Sequence, residues 1–207
     1  MLITLEGIEG SGKSTLIASL ADDLRAAGTD VLVTHEPGGT PLGDALRKIF
    51  LHSDLHIEPI AEAFLVNAAR AELVAQVIVP ALRAGSVVLC DRFFDSTVAY
   101  QGYGRGLDIE MLLRLSLAAT QSVAPDLTFL VDIPAEVSRA RLAARGAGER
   151  DRIERTLDGF HERVRAGYLE LAARFSRMVV LDGLQSPAAL VAEARDVITR
   201  RRHLSPL

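Results

Sequence analysis

Gly7-Ile8-Glu9-Gly10-Ser11-Gly12-Lys13-Ser14 matches the pattern G-x-x-x-x-G-K-[ST]. An apolar run, Met1 to Leu5, precedes it and reads as a strand. A helical pattern follows, with Leu16, Ile17, Leu20 and Leu24 on one face. Strand, glycine-rich loop and helix are the context a phosphate-binding loop (P-loop) requires. The glycines let the backbone curl so that several N–H groups converge on one phosphate. The new helix adds the positive end of its dipole. The predicted nucleotide contacts are therefore Gly7, Ile8, Glu9, Gly10, Ser11, Gly12, Lys13, Ser14 and, one residue on, Thr15. Lys13 is placed at the β/γ-phosphates, and the Ser14 hydroxyl is suited to Mg²⁺. The chain's only lysines are Lys13 and Lys48, with arginine used elsewhere. Lysine at position 13 suits a compact point charge on phosphate.

The 207 residues are read as one domain, 1–207, with length enough for a buried core. A net charge of −4 argues against a general nucleic-acid binder, which would be basic. A single cysteine, Cys90, excludes an internal disulfide and fits a reducing cytoplasm. No uninterrupted apolar run reaches spanning length, so neither a membrane segment nor a signal peptide is expected.

Further strand-like runs lie at Val31–Thr34, Val87–Cys90, Leu127–Val131 and Met178–Leu181. They are continuous rather than alternating, as in parallel strands buried on both faces. Helical patterns fill the gaps at Ser14–Ala27, Thr40–Leu51, Ile60–Arg83, Ile109–Val123, Ala135–Ala144, Arg152–Phe175 and Pro187–Arg202. The Gly102–Gly106 and Gly146–Gly148 stretches read as loops. The alternation predicts an α/β fold: three layers, with a five-stranded parallel sheet and helices on both faces, as in P-loop NTPases. Ligands in such folds sit at the carboxyl ends of the strands. Glu36-Pro37-Gly38-Gly39-Thr40 follows the second strand there, and Asp91-Arg92 ends the third.

Guanine-specific P-loop proteins carry Asn-Lys-x-Asp, and the one other lysine sits in Arg47-Lys48-Ile49. A small kinase is the leading class. Asp91 ends a buried strand as a carboxylate for the Mg²⁺ region, and Arg92 is predicted to fork onto an acceptor phosphate. A phosphate monoester acceptor is already anionic, so alignment and charge neutralisation suffice for transfer. Arginines 139, 141, 145, 150, 152 and 155 cluster in one segment. Arg141 and Arg145 are like charges at i,i+4, which an isolated helix disfavours. An arginine-rich lid over a polyphosphate, at about 139–155, accounts for them.

Residues from end to end then match a family. Leu5 through Thr15, Glu36-Pro37-Gly38-Gly39-Thr40 with Leu46-Arg47, Ala68-Ala69-Arg70, and Asp91-Arg92 with Ser96 through Gly102 carry the likeness. Gly104-Arg105-Gly106, Pro125-Asp126-Leu127 and Asp151-Arg152-Ile153-Glu154 complete it. The chain resembles bacterial thymidylate kinases along nearly its whole length. The resemblance implies transfer from ATP to dTMP with Mg²⁺ held near Ser14 and Asp91, in a cytoplasmic homodimer. It places Glu9 near the acceptor's sugar hydroxyl or the magnesium shell. Arg47 and Arg92 would hold the acceptor phosphate, Arg70 the thymine carbonyl and Thr97 the base edge. Ser96 and Gln101 join that site, Tyr100 would crowd the sugar's 2′ position, and Glu36–Pro37 would be a cis peptide. One branch of the family uses a P-loop arginine where this chain has Gly10, so Arg145, Arg150 and Arg152 are the candidates for the assisting charge. Another nucleoside monophosphate or deoxynucleoside kinase is the nearest alternative. A non-catalytic nucleotide sensor is the alternative of a different class.

The chain departs from the family's habit at three positions. His35 stands where arginine is common, and Phe93 where Tyr or His is common. Val66 occupies the place of the aromatic that stacks on thymine, with Phe64 two residues earlier. Two helical residues apart is about 200° of rotation, so Phe64 cannot simply replace it. Either Val66 forms an aliphatic face for the base, or another ring reaches in.

Overall fold

Five apolar runs become five parallel strands, each ending one residue beyond its apolar run. In the computed structural model these are β1 (Leu2–Glu6), β2 (Val31–His35), β3 (Val87–Asp91), β4 (Leu127–Asp132) and β5 (Met178–Asp182). The added residue is polar every time, and it sits at the carboxyl edge of the sheet. The structure describes residues 1–144, 153 and 159–204, with side chains to Arg201. Arg145, Arg150 and Arg152 of the expected lid, and the Gly146–Gly148 stretch, lie outside the described residues.

The strand order is β2-β3-β1-β4-β5. Leu5 pairs with Asp91, and His35 pairs with Asp91 on the other side. Three chain segments therefore leave the sheet side by side and level: the P-loop, Arg92 and Glu36. Alternation along the strands divides the core into layers. Ile3, Leu5, Leu89, Phe129 and Val131 pack against Leu16, Ile17 and Leu20 of α1 (Lys13–Ala26) and Leu190, Ala194 and Ile198 of α9 (Pro187–Leu204). On the opposite face, Leu130 meets Leu112 of α6 (Ile109–Ala119) and Tyr168 of α8 (Phe160–Arg174).

α2 (Pro41–His52) is capped by Thr40, whose hydroxyl accepts from Gly43 N at 3.0 Å, with Pro41 at the first helical position. α3 (Pro59–Leu73) runs on through a π-helical turn, Val74–Ile78, into α4 (Val79–Arg83). Within these 25 residues an 18-residue stretch has a mean hydropathy of 1.4, and the helix is long enough to cross a bilayer. The span belongs to the fold nonetheless. Leu73, Val74 and Ile78 are fully buried in the core, and Glu62 and Arg70 are buried in ion pairs.

Two expectations need correction. Gly102–Gly106 is not simply a loop: α5 (Phe94–Thr97) continues as a π-helical segment, Val98–Gly104. A Cβ on Gly102 would strike Ile109, and one on Gly104 would strike Phe160 at 2.6 Å. The glycines there mark close packing of helices rather than a turn. The helix predicted over Ile109–Val123 ends at Ala119, where Gln121 and Ser122 adopt positive φ. α7 (Ala135–Ala144) matches its predicted bounds, and α8 is described from Phe160 onward.

Candidate active site

Gly7 begins the P-loop at φ 137°, and a Cβ there would lie 2.5 Å from the Val131 carbonyl oxygen. Only glycine lets the chain leave β1 so close to β4. Lys13 is folded back over the loop. Its ammonium donates to Gly7 O at 2.8 Å, Ile8 O at 3.0 Å and Ser11 Oγ at 3.3 Å. Burial, and then the charge of Arg92, lower its pKa to about 8. Ser14 Oγ donates to Asp91 Oδ2 at 3.2 Å, while Asp91 Oδ1 is buried with no hydrogen-bond partner. A hydroxyl beside a carboxylate with an unmet acceptor is a hard-oxygen pair suited to Mg²⁺. α7 packs on the loop from above: Ser138 Oγ donates to Glu9 O at 2.6 Å, and Arg141 donates to Gly10 O at 3.1 Å and Gly183 O at 3.0 Å.

Beside the loop opens a cavity of about 390 Å³. Glu9, Gly10, Lys13, Ser14, Glu36, Pro37, Arg47, Val66, Arg70, Asp91, Arg92, Ser96, Thr97, Tyr100 and Gln101 all line it. Among the loop residues, Gly7, Ile8, Ser11, Gly12 and Thr15 do not. Ile8 points into the core at 2% exposure and Thr15 is exposed. Any contact from Ile8 to a phosphate must run through the backbone.

Part of the cavity wall is polar and held by hydrogen bonds. Arg70 donates from Nε to Glu36 Oε2 at 2.8 Å, from Nη1 to Asn67 Oδ1 at 2.9 Å and from Nη2 to Phe93 O at 3.2 Å. Both partners of the Arg70–Glu36 pair are buried, and Glu36 Oε1 lacks a donor. The Glu36–Pro37 peptide is cis, and Arg47 donates to Pro37 O at 2.8 Å. Gln101 donates to the buried Glu62 at 3.0 Å. The apolar side is Val66 with Phe50 and Leu51, and Phe50 was not anticipated. Phe50 follows Arg47 by three residues on α2, so both belong to one helix face.

Arg92 also lines the cavity, directly after β3. It is a non-glycine residue at φ 71°, a sparsely populated conformation that recurs at functional sites. Nη2 donates to Glu9 Oε1 at 2.8 Å and Tyr100 OH at 3.1 Å; Nη1 donates to Ser96 Oγ at 3.2 Å and Tyr168 OH at 3.1 Å. The fork expected to be open for a phosphate is thus held by side chains of the protein itself. Three of the four partners are neutral hydroxyls, which a dianionic phosphate outcompetes. Burial opposes the charge of Glu9, but Arg92, Lys13 and Tyr100 outweigh it and keep the carboxylate below its usual range.

Glu6 and Tyr168 were not foreseen. Glu6, fully buried, accepts from Phe93 N at 2.7 Å, Ser96 Oγ at 2.6 Å and Tyr168 OH at 2.9 Å. Its one signal in the sequence is an acidic residue closing an otherwise apolar strand. Burial, then the charge of Asp95, raises its pKa from 4.5 to about 7. The folded protein therefore holds a proton that the unfolded chain releases between about pH 4.5 and 7. That contribution to stability is full below 4.5 and is lost as the pH climbs to 7. Glu6→Gln stays neutral throughout. The stability of wild type relative to this variant will fall by about 3 kcal/mol between pH 4.5 and 7. Urea unfolding of both proteins across that range checks it, and parallel curves would contradict it.

A P-loop on β1, a carboxylate on β3 and a second, arginine-lined cavity at the same sheet edge define a P-loop phosphotransferase with its own acceptor site. The family model described as thymidylate kinase matches residues 5–194. A thymidylate kinase of Citrifermentans bemidjiense is 50% identical over 201 residues, covering 93% of this chain and 89% of the relative. One from Deinococcus radiodurans is 46% identical, with 98% of each chain covered. The crystal structure of thymidylate kinase from Ehrlichia chaffeensis superposes with a TM-score of 0.78 at 30% identity, covering 96% of this chain and 98% of that one. The chain belongs to the thymidylate kinase family, kinases that phosphorylate dTMP to dTDP.

Proposed function

We propose that ATP is the donor, bound on the P-loop, and that dTMP lies in the adjoining cavity with its phosphate toward Arg92 and Arg47. What carries this reading is the cavity's two unlike arginines, Arg70 buried in an ion pair and Arg92 part-exposed among hydroxyls. Arg70, held rigid by Glu36 and Asn67, offers a guanidinium edge suited to a base carbonyl. Thr97 and Gln101 lie on the same wall, and Val66 with Phe50 gives the base an apolar seat. Phe50 is thus the other ring that the valine at position 66 calls for. Tyr100, hydrogen-bonded to Glu9 at 2.7 Å, crowds the sugar and favours deoxyribose.

Ser14 and Asp91 would hold Mg²⁺, which supplies charge neutralisation on the donor phosphates. Lys13 leaves its loop carbonyls for the β/γ-phosphates. Arg92 and Arg47 align the acceptor oxygen with the γ-phosphorus, so the new P–O bond forms as the bond to the β-phosphate oxygen breaks and ADP departs. No general base is needed, because the attacking oxygen is already anionic. Gly10 brings no charge to the transferring group, so Arg145, Arg150 and Arg152 are assigned to supply it. The enzyme acts in the cytoplasm as a homodimer. Phe64 is 57% and Ile60 37% exposed on α3, giving a partner helix its contact, whereas Leu73 on the same helix is core.

A coupled ADP-release assay across monophosphate acceptors tests the assignment. dTMP will be the fastest acceptor. Faster turnover of dCMP, dGMP, AMP or shikimate would overturn it.

A further inference from the structure

Among the described residues, five buried side-chain atoms lack a hydrogen-bond partner: Glu9 Oε2, Glu36 Oε1, Asp91 Oδ1, Ser116 Oγ and His161 Nε2. Three are carboxylate oxygens on the cavity wall, and of these Asp91 Oδ1 would meet the Mg²⁺ of the function proposed above. Ser116 is buried in α6, away from the cavity lining. His161 is different, because the mechanism does not use it and it faces the mechanism's central carboxylate. Its Nε2 lies 3.5 Å from Glu9 Oε2, the one oxygen of Glu9 that Arg92 and Tyr100 leave unserved. Two unmet polar atoms, one able to donate and one able only to accept, confront each other at slightly more than hydrogen-bond distance.

Local packing sets that approach. His161 occupies the first turn of α8, and its ring stands edge-on to Phe160 at 5.4 Å and 87°. Phe160 is itself fixed, 1% exposed, with the Arg105 guanidinium over its ring at 4.8 Å and Tyr100 against its edge at 6.0 Å. The imidazole is thereby aimed at the P-loop from a helix that is otherwise remote from it in sequence. A carboxylate held through one oxygen can still swing about its last torsion, and swinging would carry Arg92 and Tyr100 with it. Hydrogen bonds of this kind are often long without substrate and tighten in the reacting complex.

We propose that His161 is a positioning residue for Glu9: its Nε2–H donates to Glu9 Oε2 in the reacting complex and fixes the carboxylate plane, so that Oε1 keeps Arg92 and Tyr100 on the acceptor. The proposal rests on the acceptor site assigned above. His161 touches neither substrate; it acts through Glu9 alone. Glutamine at 161 preserves a donor, whereas phenylalanine preserves the ring against Phe160 and removes the donor.

The test is steady-state kinetics on His161→Phe, His161→Gln, Glu9→Gln and the double variant Glu9→Gln/His161→Phe, with thermal melts to confirm folding. His161→Phe will lose about 10-fold or more in acceptor kcat/KM, the worth of a hydrogen bond to a charged group, with the KM for ATP unchanged. His161→Gln will keep most of the wild-type value. In the Glu9→Gln background, His161→Phe will cost less than about 2-fold, because its route of action is already gone. An inert His161→Phe overturns the proposal. So does a His161→Gln as poor as the phenylalanine variant, or losses that multiply in the double variant, since either marks a merely structural ring. The cycle is run on whichever monophosphate the wild type prefers. A wrong acceptor assignment therefore shows in the wild-type screen, and a wrong role for His161 shows in the cycle.

Discussion

Lys13→Ala will fold and will lose about 10²–10³-fold in kcat, the usual worth of a preorganised charge contact in a transition state. Both halves of that expectation come from the ammonium's resting place. Its hydrogen bonds go to Gly7 O, Ile8 O and Ser11 Oγ, all within its own loop, so no distant element depends on it. Removing the side chain leaves two carbonyls without that donor, at a cost of about 1–2 kcal/mol. The function cost is larger because the same charge must move onto the donor phosphates. A second signature follows from the pKa of about 8, which burial and Arg92 impose on Lys13. Above that pH the ligand-free lysine is largely neutral, and a bound polyphosphate restores its proton. ATP binding at pH 9 will take up a proton in wild type and none in Lys13→Ala. Calorimetry in two buffers of different ionisation enthalpy measures the uptake. A folded Lys13→Ala with near wild-type kcat would sink the P-loop mechanism.

The sheet was legible in the sequence because its strands are apolar runs, although only β1, β3 and β4 are buried on both faces and the edge strands β2 and β5 leave Val33 and Val180 exposed. The same criterion stopped each strand one residue short. Glu6, His35, Asp91, Asp132 and Asp182 are polar and yet lie in the ladder. Those are the residues at the edge where ligands bind, so the apolar rule fails at the place where chemistry begins. The P-loop, Glu36–Pro37, Arg70 and Asp91–Arg92 were legible as local motifs. Glu6, Tyr168 and His161 were not, since each is an ordinary residue of its own element. Tyr168 lies 162 residues from Glu6 in sequence, and only the fold makes them partners. The apolar seat shows the same limit. The family likeness exposed the lack of a ring at Val66, but Phe50 comes from α2, and no periodicity within one helix points to another. Gly102 and Gly104 misled for a related reason: glycine marks either a turn or a close helix contact, and Ile109 and Phe160 decide between them.

Arg92→Lys will fold and will lose about 100-fold or more in kcat. The guanidinium fills its two terminal nitrogens with four hydrogen bonds, to Glu9, Tyr100, Ser96 and Tyr168, and it also lies 5.0 Å over the Tyr100 ring. Burial works against its charge, but Tyr100, Tyr168, Glu9 and Asp91 more than compensate, so it remains charged throughout the working range. A lysine ammonium is a point charge with three donors on a shorter reach. It can keep the ion pair with Glu9 or span to Ser96 and Tyr168, but it cannot do both. The Glu9 pair carries the formal charge and will be kept, which preserves folding. The fork is then lost, and with it the planar alignment of the acceptor phosphate against the γ-phosphorus. Arg92→Met separates charge from geometry further. It leaves the part-buried Glu9 without the cation at 2.8 Å, at a cost below that of breaking a fully buried pair, about 3–5 kcal/mol, so this variant will melt below Arg92→Lys. Steady-state kinetics with varied dTMP, read beside thermal melts of both variants, separate the two effects. The lysine variant should show its deficit chiefly in kcat, because the fork tightens on the phosphate as transfer proceeds. If Arg92→Lys keeps kcat within about 3-fold of wild type, the arginine at this strand end is a structural ion pair, and the acceptor phosphate is aligned by another group.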